Sequence, residues 1–493
     1  MPDYNAALVI DIGTTNCKVS CYSCHDASVL DVRKFPTPKF VSERGEVDFD
    51  FEALWQALLC VMAELAATSP YPVTNISIAS FGESGVFIDD AGNILTPMLA
   101  WYDRRGEAYL GTLSPAENRR LYEITGLPPH SNYSAFKIRW LLDNYPLRGR
   151  KDICWLHMPE VLLWRLTGQR KTDITLASRT LCLDVSSKNW SREAASILGV
   201  PFEAFAPLIR AGEPGGQVTS AICSQLGIEG DISVTLAGHD HMVGARALQM
   251  KPGEVLNSTG TTEGILVLRA QPALGELAER DDLANGCYSD GELYTLFASL
   301  PVGGYALEWL RKTFRLTEEE IDTALKQAWE RYQQSSWSAD SVPVFIPHLR
   351  GSGSPNKNRH TRGLLFGLTD SLPVITLVES VFIGLVMELA QCYECFCVPT
   401  NSTVKVIGPA VNNPFWLQLK ADTLQCTVEA IAFDESVSVG ALLIARPELY
   451  LPTVPVAARY MPDATRVSQL KIYRQQWNEF CRFKLLQEGI SPD

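Results

Sequence analysis

The 493-residue sequence has no cluster of lysine and arginine, and its formal charge of −13 opposes a polyanionic backbone. Charge therefore argues against nucleic-acid partners, and none is expected. There is no low-complexity tract, and 46 % hydrophobic with 20 % charged residues is ordinary for a globular chain. No apolar run approaches the roughly 20 residues that span a bilayer, so no membrane partner is expected. The opening Met1-Pro2-Asp3-Tyr4-Asn5 carries no basic segment, and Asp11 interrupts the apolar stretch that follows. A signal peptide is thus not expected, and a cytoplasmic location is. No Gly-x-x-x-x-Gly-Lys-Ser/Thr segment occurs, which rules out a Walker-type phosphate loop.

Cysteine, by contrast, is plentiful: 13 residues, an odd count, with no export signal, argue for reduced thiols rather than a disulfide framework. Cys21-Tyr22-Ser23-Cys24-His25 has the spacing of a c-type haem attachment, which requires export. Cys392, Cys395 and Cys397 lie in an apolar run, where free cysteine packs as a small hydrophobe. Neither haem nor a zinc site joining these three to Cys21 and Cys24 is expected.

The length calls for more than one core. An apolar strand over Ala7–Ile12 is broken by Gly13-Thr14-Thr15, and Lys18–Tyr22 returns as a second strand. Val29–Phe35 gives a third, Asp48 or Asp50 caps a helix through Leu54, Leu58, Met62 and Leu65, and Asn75–Ser80 is again a strand. The opening unit recurs half a chain later: Val255–Ser258, then Thr259-Gly260-Thr261-Thr262, then Gly264–Leu268. Between them an alternating strand over Asp231–Gly238 gives way to a helix from Met242. The boundary is placed at Lys251-Pro252-Gly253, giving domains 1–250 and 251–493. In the second half a strand (Val342–Pro347) precedes a Gly/Ser/Pro/Asn-rich segment, His348–Asn358, which reads as a surface loop. A long helix (Pro373–Tyr393), a strand (Val404–Ile407) and helices over Asn413–Leu424 and Val437–Ala445 complete an α/β pattern.

Tight turns bind phosphate through backbone N–H groups, with glycine allowing close approach and threonine adding hydroxyl donors. Both Gly-Thr-Thr turns suit this, although either alone is also ordinary hairpin chemistry. Asp11 ends a strand beside the first turn, where an unpaired carboxylate is costly unless a cation such as Mg²⁺ compensates it; the alternative is a turn cap. Lys18, on the returning strand, is placed to offset phosphate charge. Asp240 stands between a strand and a helix, either as an N-cap or as an acceptor for the proton of an attacking hydroxyl. His239 and His241 flank it, with no third metal ligand at suitable spacing.

Asp11-Ile12-Gly13-Thr14-Thr15-Asn16-Cys17-Lys18 resembles the first phosphate motif of the FGGY carbohydrate kinases, and Ser258-Thr259-Gly260-Thr261-Thr262 their second. Gly408-Pro409-Ala410 through Gln418 and Ala421-Asp422 is similar to their adenosine motif. Further fragments follow in family order: Ala100–Arg105, Lys137–Leu141, Leu166-Thr167-Gly168, Thr172-Asp173 with Ala177-Ser178, and Arg362-Gly363-Leu364. The resemblance implies two ribonuclease-H-like, actin-like ATPase domains facing a central cleft, the first mostly for sugar and the second mostly for nucleotide. It implies Asp240 as catalytic base and Asp11 as the residue organising Mg²⁺. Glu83, Trp101 and Asp103 fall on the substrate side. Gly13, Thr14, Thr15, Lys18, Gly260, Thr261, Thr262, Gly408, Ala410 and Asn413 fall to ATP.

Three positions depart from the pattern. Glycerol kinases carry an arginine where Gly82 stands, Pro409 replaces a glycine of the adenosine motif, and Ile383 stands where many members have glutamate. The Gly238-His239-Asp240 form resembles fuculokinases and rhamnulokinases, so the expected acceptor is a ketose or deoxy-ketose. The alternatives are a polyol kinase, a catalytically silent sugar- or nucleotide-binding sensor, and an ATPase that uses no sugar. A small-molecule sugar and ATP are the expected partners; a homodimer is compatible with the sequence, which leaves the oligomeric state open.

Overall fold

The computed structural model describes residues 4–334, 337–399, 402–433, 435–449 and 454–489; Met1–Asp3, used above in judging the leader, lie outside them. In the first lobe β1 (Ala6–Ile12), β2 (Asn16–Ser23) and β3 (Val29–Pro36) form a meander, followed by α1 (Phe51–Thr68) and β4 (Val73–Ser80). After an insertion of helices and short strands, β5 (Pro214–Gln217) and β6 (Ser233–His239) complete a six-stranded sheet in the order β5-β6-β4-β1-β2-β3, and α2 (Asp240–Ala247) follows. β1 runs antiparallel to β2 and parallel to β4, with Asp11 paired in register to Lys18 and to Ala79.

Asp50, rather than Asp48, caps α1 by accepting from the Ala53 N–H at 3.0 Å. The helix buries Phe51, Leu54, Trp55, Leu58, Met62 and Leu65 on one side, and at roughly 1.5–3 kcal/mol for each large apolar side chain this stripe is what fixes it to the sheet.

The second lobe repeats the plan. β7 (Val255–Thr259), β8 (Glu263–Arg269), β9 (Ala284–Cys287), β10 (Tyr294–Leu300), β11 (Thr403–Ile407), β12 (Thr427–Ile431) and β13 (Val456–Tyr460) form a seven-stranded sheet, ordered β9-β10-β8-β7-β11-β12-β13. β7 pairs antiparallel with β8 across the second Gly-Thr-Thr turn and parallel with β11, as β1 does with β2 and β4. The helices are α3 (Val374–Glu394), α4 (Pro414–Leu424) and α5 (Ser436–Ala445), among others. Two such mixed sheets, each opened by strand, turn, strand, make the two-domain ribonuclease-H-like fold that the sequence order implies.

Three sequence expectations are corrected. The helix after β6 begins at Asp240, not Met242. The 348–358 segment is only partly a surface loop: Arg350 and Lys357 are exposed, but His348 and residues 351–354 are buried, and the Gly353 N–H donates to Glu388 Oε1 at 3.2 Å. α1 and α3 are each long and apolar enough by composition to cross a bilayer. In α3 that apolar length is enclosed in the second lobe, where Phe382 meets Phe415 and Trp416 of α4.

The lobes are tied together behind the cleft. α5 packs on α2 and on the first sheet, Ser77 Oγ donates to the Ala441 carbonyl at 2.8 Å, and Lys18 Nζ meets Glu435 Oε2 at 2.7 Å.

Candidate active site

A cavity of about 460 Å³ opens between the lobes. Thr14 and Thr262, one from each Gly-Thr-Thr turn, line it together with Glu83, Trp101 and Asp240. Five of the residues singled out from the sequence, up to 248 positions apart along the chain, thus share one space.

The two turns are built alike. The Gly13 N–H closes the first by donating to the Asn16 carbonyl at 3.0 Å, and the Gly260 N–H closes the second onto Thr262 at 2.9 Å. The glycine amides are thus used internally, and Thr15, Thr261 and Thr262 are the exposed members. Trp101 Nε1 donates to Thr14 Oγ1 at 2.9 Å, fixing the indole against the first turn.

Asp240 opens α2 directly beyond β6, where the helix dipole favours a negative charge. A quarter of its side-chain surface is accessible. Burial is the main influence on its carboxyl and raises its pKa above the ordinary value; His241 beside it acts in the other direction. The strand end that carries it is held by Thr175, whose Oγ1 accepts from the His239 N–H at 2.8 Å and itself donates to buried Asp173. His239, Asp240 and His241 bring one potential ligand atom each within 4.8 Å of one another, and the His241 N–H donates to His239 Nδ1 at 3.3 Å.

Glu83 takes a left-handed backbone conformation, φ 67°, uncommon for a residue with a side chain and a mark of a constrained site. Ser134 Oγ donates to its carbonyl at 3.0 Å, and Arg179 Nε donates to its Oε1 at 2.9 Å.

Asp11 lies at the end of β1. Burial first, then the negative charge of Asp240, raises its carboxyl to about 7, with Lys18 opposing and Glu435 adding to the shift. A buried carboxyl whose ionisation is disfavoured by a neighbouring carboxylate is one whose charged form a divalent cation would favour.

Asp103 departs from expectation. Its Oδ2 accepts from the Val47 N–H at 2.7 Å and its Oδ1 from Arg105 Nε at 2.8 Å, and the residue is not among those lining the cavity. Burial alone would raise its pKa, but these donors outweigh it and hold the carboxyl below the ordinary range. Lys18 is engaged by Glu435 rather than left open.

In the adenosine motif, Gly408 (φ 87°) ends β11, the Ala410 N–H donates to Thr259 Oγ1 at 3.1 Å, and Asn413 caps α4 through the Trp416 N–H at 3.0 Å. Pro409 opens a short 3₁₀ turn, where its missing N–H costs no helical bond. Ile383 is a fully buried packing residue of α3.

Sequence reasoning missed Arg179, Tyr133, His130 and Lys357, all of which line the cavity. Arg179 directly follows the quoted Ala177-Ser178, but its partner lies 96 positions away. Lys357 is an exposed residue of the 348–358 segment, and nothing in the composition of that segment shows that it reaches the cavity.

Two ribonuclease-H-like lobes, each opened by a Gly-Thr-Thr turn, face a shared cleft that holds an aspartate at a helix start, and the family this frame belongs to makes the chain a phosphotransferase with an alcohol group as acceptor. The chain matches the N-terminal domain model of the FGGY family of carbohydrate kinases over residues 6–246 and its C-terminal domain model over residues 255–446. It belongs to that family. It is 27 % identical over 455 residues to a glycerol kinase of Lactobacillus acidophilus, covering 89 % of this chain and 88 % of that protein. It is 25 % identical over 454 residues to a gluconokinase of Bacillus subtilis, covering 89 % and 86 %. In fold it is similar to ligand-bound xylulose kinase from L. acidophilus (TM-score 0.86, 20 % identity, 98 % of both chains). It is also similar to Plasmodium falciparum glycerol kinase with ADP (TM-score 0.87, 19 % identity, 98 % of both chains).

Proposed function

We propose that this chain transfers the γ-phosphoryl group of ATP to a hydroxyl of a small neutral sugar, a ketose or deoxy-ketose, in the cytoplasm. The observation that carries the reading is the convergence of Thr14, Thr262, Asp240, Glu83 and Trp101 on one interlobe cavity. Asp240 accepts the proton of the attacking hydroxyl; Glu83 and Trp101 orient the sugar. The two Gly-Thr-Thr turns hold the phosphates, with Lys18 beside the first, and Gly408, Ala410 and Asn413 border the nucleoside. Asp11 is the residue that would hold Mg²⁺ on the phosphates, and the charge neutralisation the ion supplies is the usual need of phosphoryl transfer. The 1–250 segment presents the sugar side and the 251–493 segment the nucleotide side, with α5 returning to brace the first lobe. Gly82, lacking the arginine of glycerol kinases, supports a sugar over glycerol.

The test is ADP release from ATP and Mg²⁺ against ketoses, deoxy-ketoses, pentitols, glycerol, gluconate and aldoses. A ketose or deoxy-ketose is expected to give the highest kcat/KM. Asp240→Asn is expected to lower kcat about 10³-fold, in the range of general-base contributions, with ATP and sugar affinities held within a few-fold. Undiminished turnover in that variant removes Asp240 from the role, and preference for a pentitol or glycerol moves the substrate to the polyols.

A further inference from the structure

Among the described residues that line the cavity, Arg179 is the only arginine. Its stem occupies the space a side chain at position 82 would need: a Cβ on Gly82 would lie 2.8 Å from His239 Cδ2 and 3.2 Å from Arg179 Cγ. The guanidinium carbon lies 5.0 Å from the centre of the Tyr133 ring, and Nε donates to Glu83 Oε1 at 2.9 Å. A guanidinium carries five N–H donors in a rigid fork and no acceptor, whereas an ionised carboxylate only accepts. The Arg179–Glu83 pair therefore presents donors and acceptors side by side, with the two charges offset.

We propose that Arg179 is a specificity-determining residue, forming with Glu83 a donor–acceptor clamp for two adjacent hydroxyls of a neutral polyhydroxylated acceptor. Each clamped hydroxyl can accept from the fork and donate to the carboxylate, and a further hydroxyl is left for Asp240. Because Glu83 offsets the arginine, the clamp favours neutral compounds over sugar acids. The absent side chain at Gly82 is what makes room for it. The inference rests on the kinase reading for the reaction but not for the binding.

D-Xylulose, L-fuculose, xylitol, glycerol and gluconate are titrated into the wild-type chain and into Arg179→Lys and Arg179→Ala. Binding is read by tryptophan fluorescence, since Trp101 lines the same cavity, and turnover by ADP release. For the best neutral ligand, Arg179→Lys is expected to weaken binding at least tenfold, with ATP affinity within twofold and the melting transition retained. Millimolar ethylguanidinium is expected to restore part of the lost affinity in Arg179→Ala, which a purely structural role does not predict. Should the variants fail to fold, the wild type alone decides: removing one clamped hydroxyl from the best ligand is expected to cost at least tenfold, as sites built to hydrogen-bond a hydroxyl reject analogues lacking it. Wild-type affinity in Arg179→Lys, tighter binding of gluconate than of every neutral compound, tolerance of every deoxy analogue, or no binding of any compound overturns the clamp. Sugar binding without turnover overturns the kinase reading and leaves the clamp standing.

Discussion

Asp103 shows how the role of a residue is set by what its side chain touches. Its carboxylate belongs to a buried cluster in which Arg105 also reaches Asp48 and lies over Trp140. Removing Asp103 takes one partner from the cluster but leaves Arg105 with Asp48 and the Val47 carbonyl, so the cost falls below the about 3–5 kcal/mol of a buried charge left wholly uncompensated. Asp103→Ala is therefore expected to lower the melting temperature clearly while leaving the sugar KM within twofold of wild type; a large KM rise in a normally stable variant would return Asp103 to the substrate side. At this scale the sequence was informative where a motif is local. Thr14, Thr262 and Asp240 sit beside the glycines or strand ends that mark them. It was silent where a contact joins distant segments, as in Arg179 with Glu83 or Lys18 with Glu435, because no spacing rule connects residues 96 or 417 positions apart.

At the scale of elements, hydrophobic period placed eight of the thirteen strands of the two sheets to within a few residues, because burial on one side leaves its mark on the sequence, whereas β5, β9, β10, β12 and β13 have no counterpart in the sequence reading. The 348–358 segment escaped because Gly, Ser, Pro and Asn report turn geometry, not depth. Its buried backbone is satisfied by Ser352 and by Glu388 on α3, neither of which a composition argument sees. The crossing of α2 and α5 escaped for a related reason: apolar residues predicted a buried helix but not the lobe that buries it. There a Cβ on Gly440 would lie 2.0 Å from the Val243 carbonyl oxygen, whereas one on Gly244 would meet its nearest neighbour, Ser436 Oγ, at 3.5 Å. Opposite outcomes are expected from the same substitution. Gly440→Ala forces the helices apart and is expected to destabilise by about 1–3 kcal/mol, the usual cost of overpacking. Gly244→Ala fits and is expected to be neutral or to stabilise by up to about 1 kcal/mol through helix propensity. Thermal melts of the two variants decide, and equal effects would refute the close crossing.

At the scale of the whole molecule, stability carries a pH signature from carboxyls buried to build the lobes. Burial raises Glu388 to about 7, against a donor in the Gly353 N–H; Glu263 also raises it and Lys484 opposes. His348 is 3.7 Å away but is itself held down to about 3, chiefly by burial, and so is neutral in this range. Between the ordinary value of 4.5 and about 7, the folded protein keeps a proton on Glu388 that the unfolded chain has released. The contribution of this group to stability is then fully present below 4.5 and is lost as pH rises through 7. Glu379 and Asp173 are raised to about 7 by burial as well and act with the same sign. Glutamine keeps an acceptor for Gly353 without the titrating proton. Glu388→Gln is therefore expected to match wild type in melting temperature near pH 5 and to exceed it above pH 7. The gain there is on the order of 2 kcal/mol, from about 1.4 kcal/mol for each pKa unit. The comparison of variant with wild type isolates this residue from the rest of the titrating surface. A difference that is flat from pH 5 to pH 8.5 would mean that Glu388 titrates in the folded protein as it does in the unfolded chain.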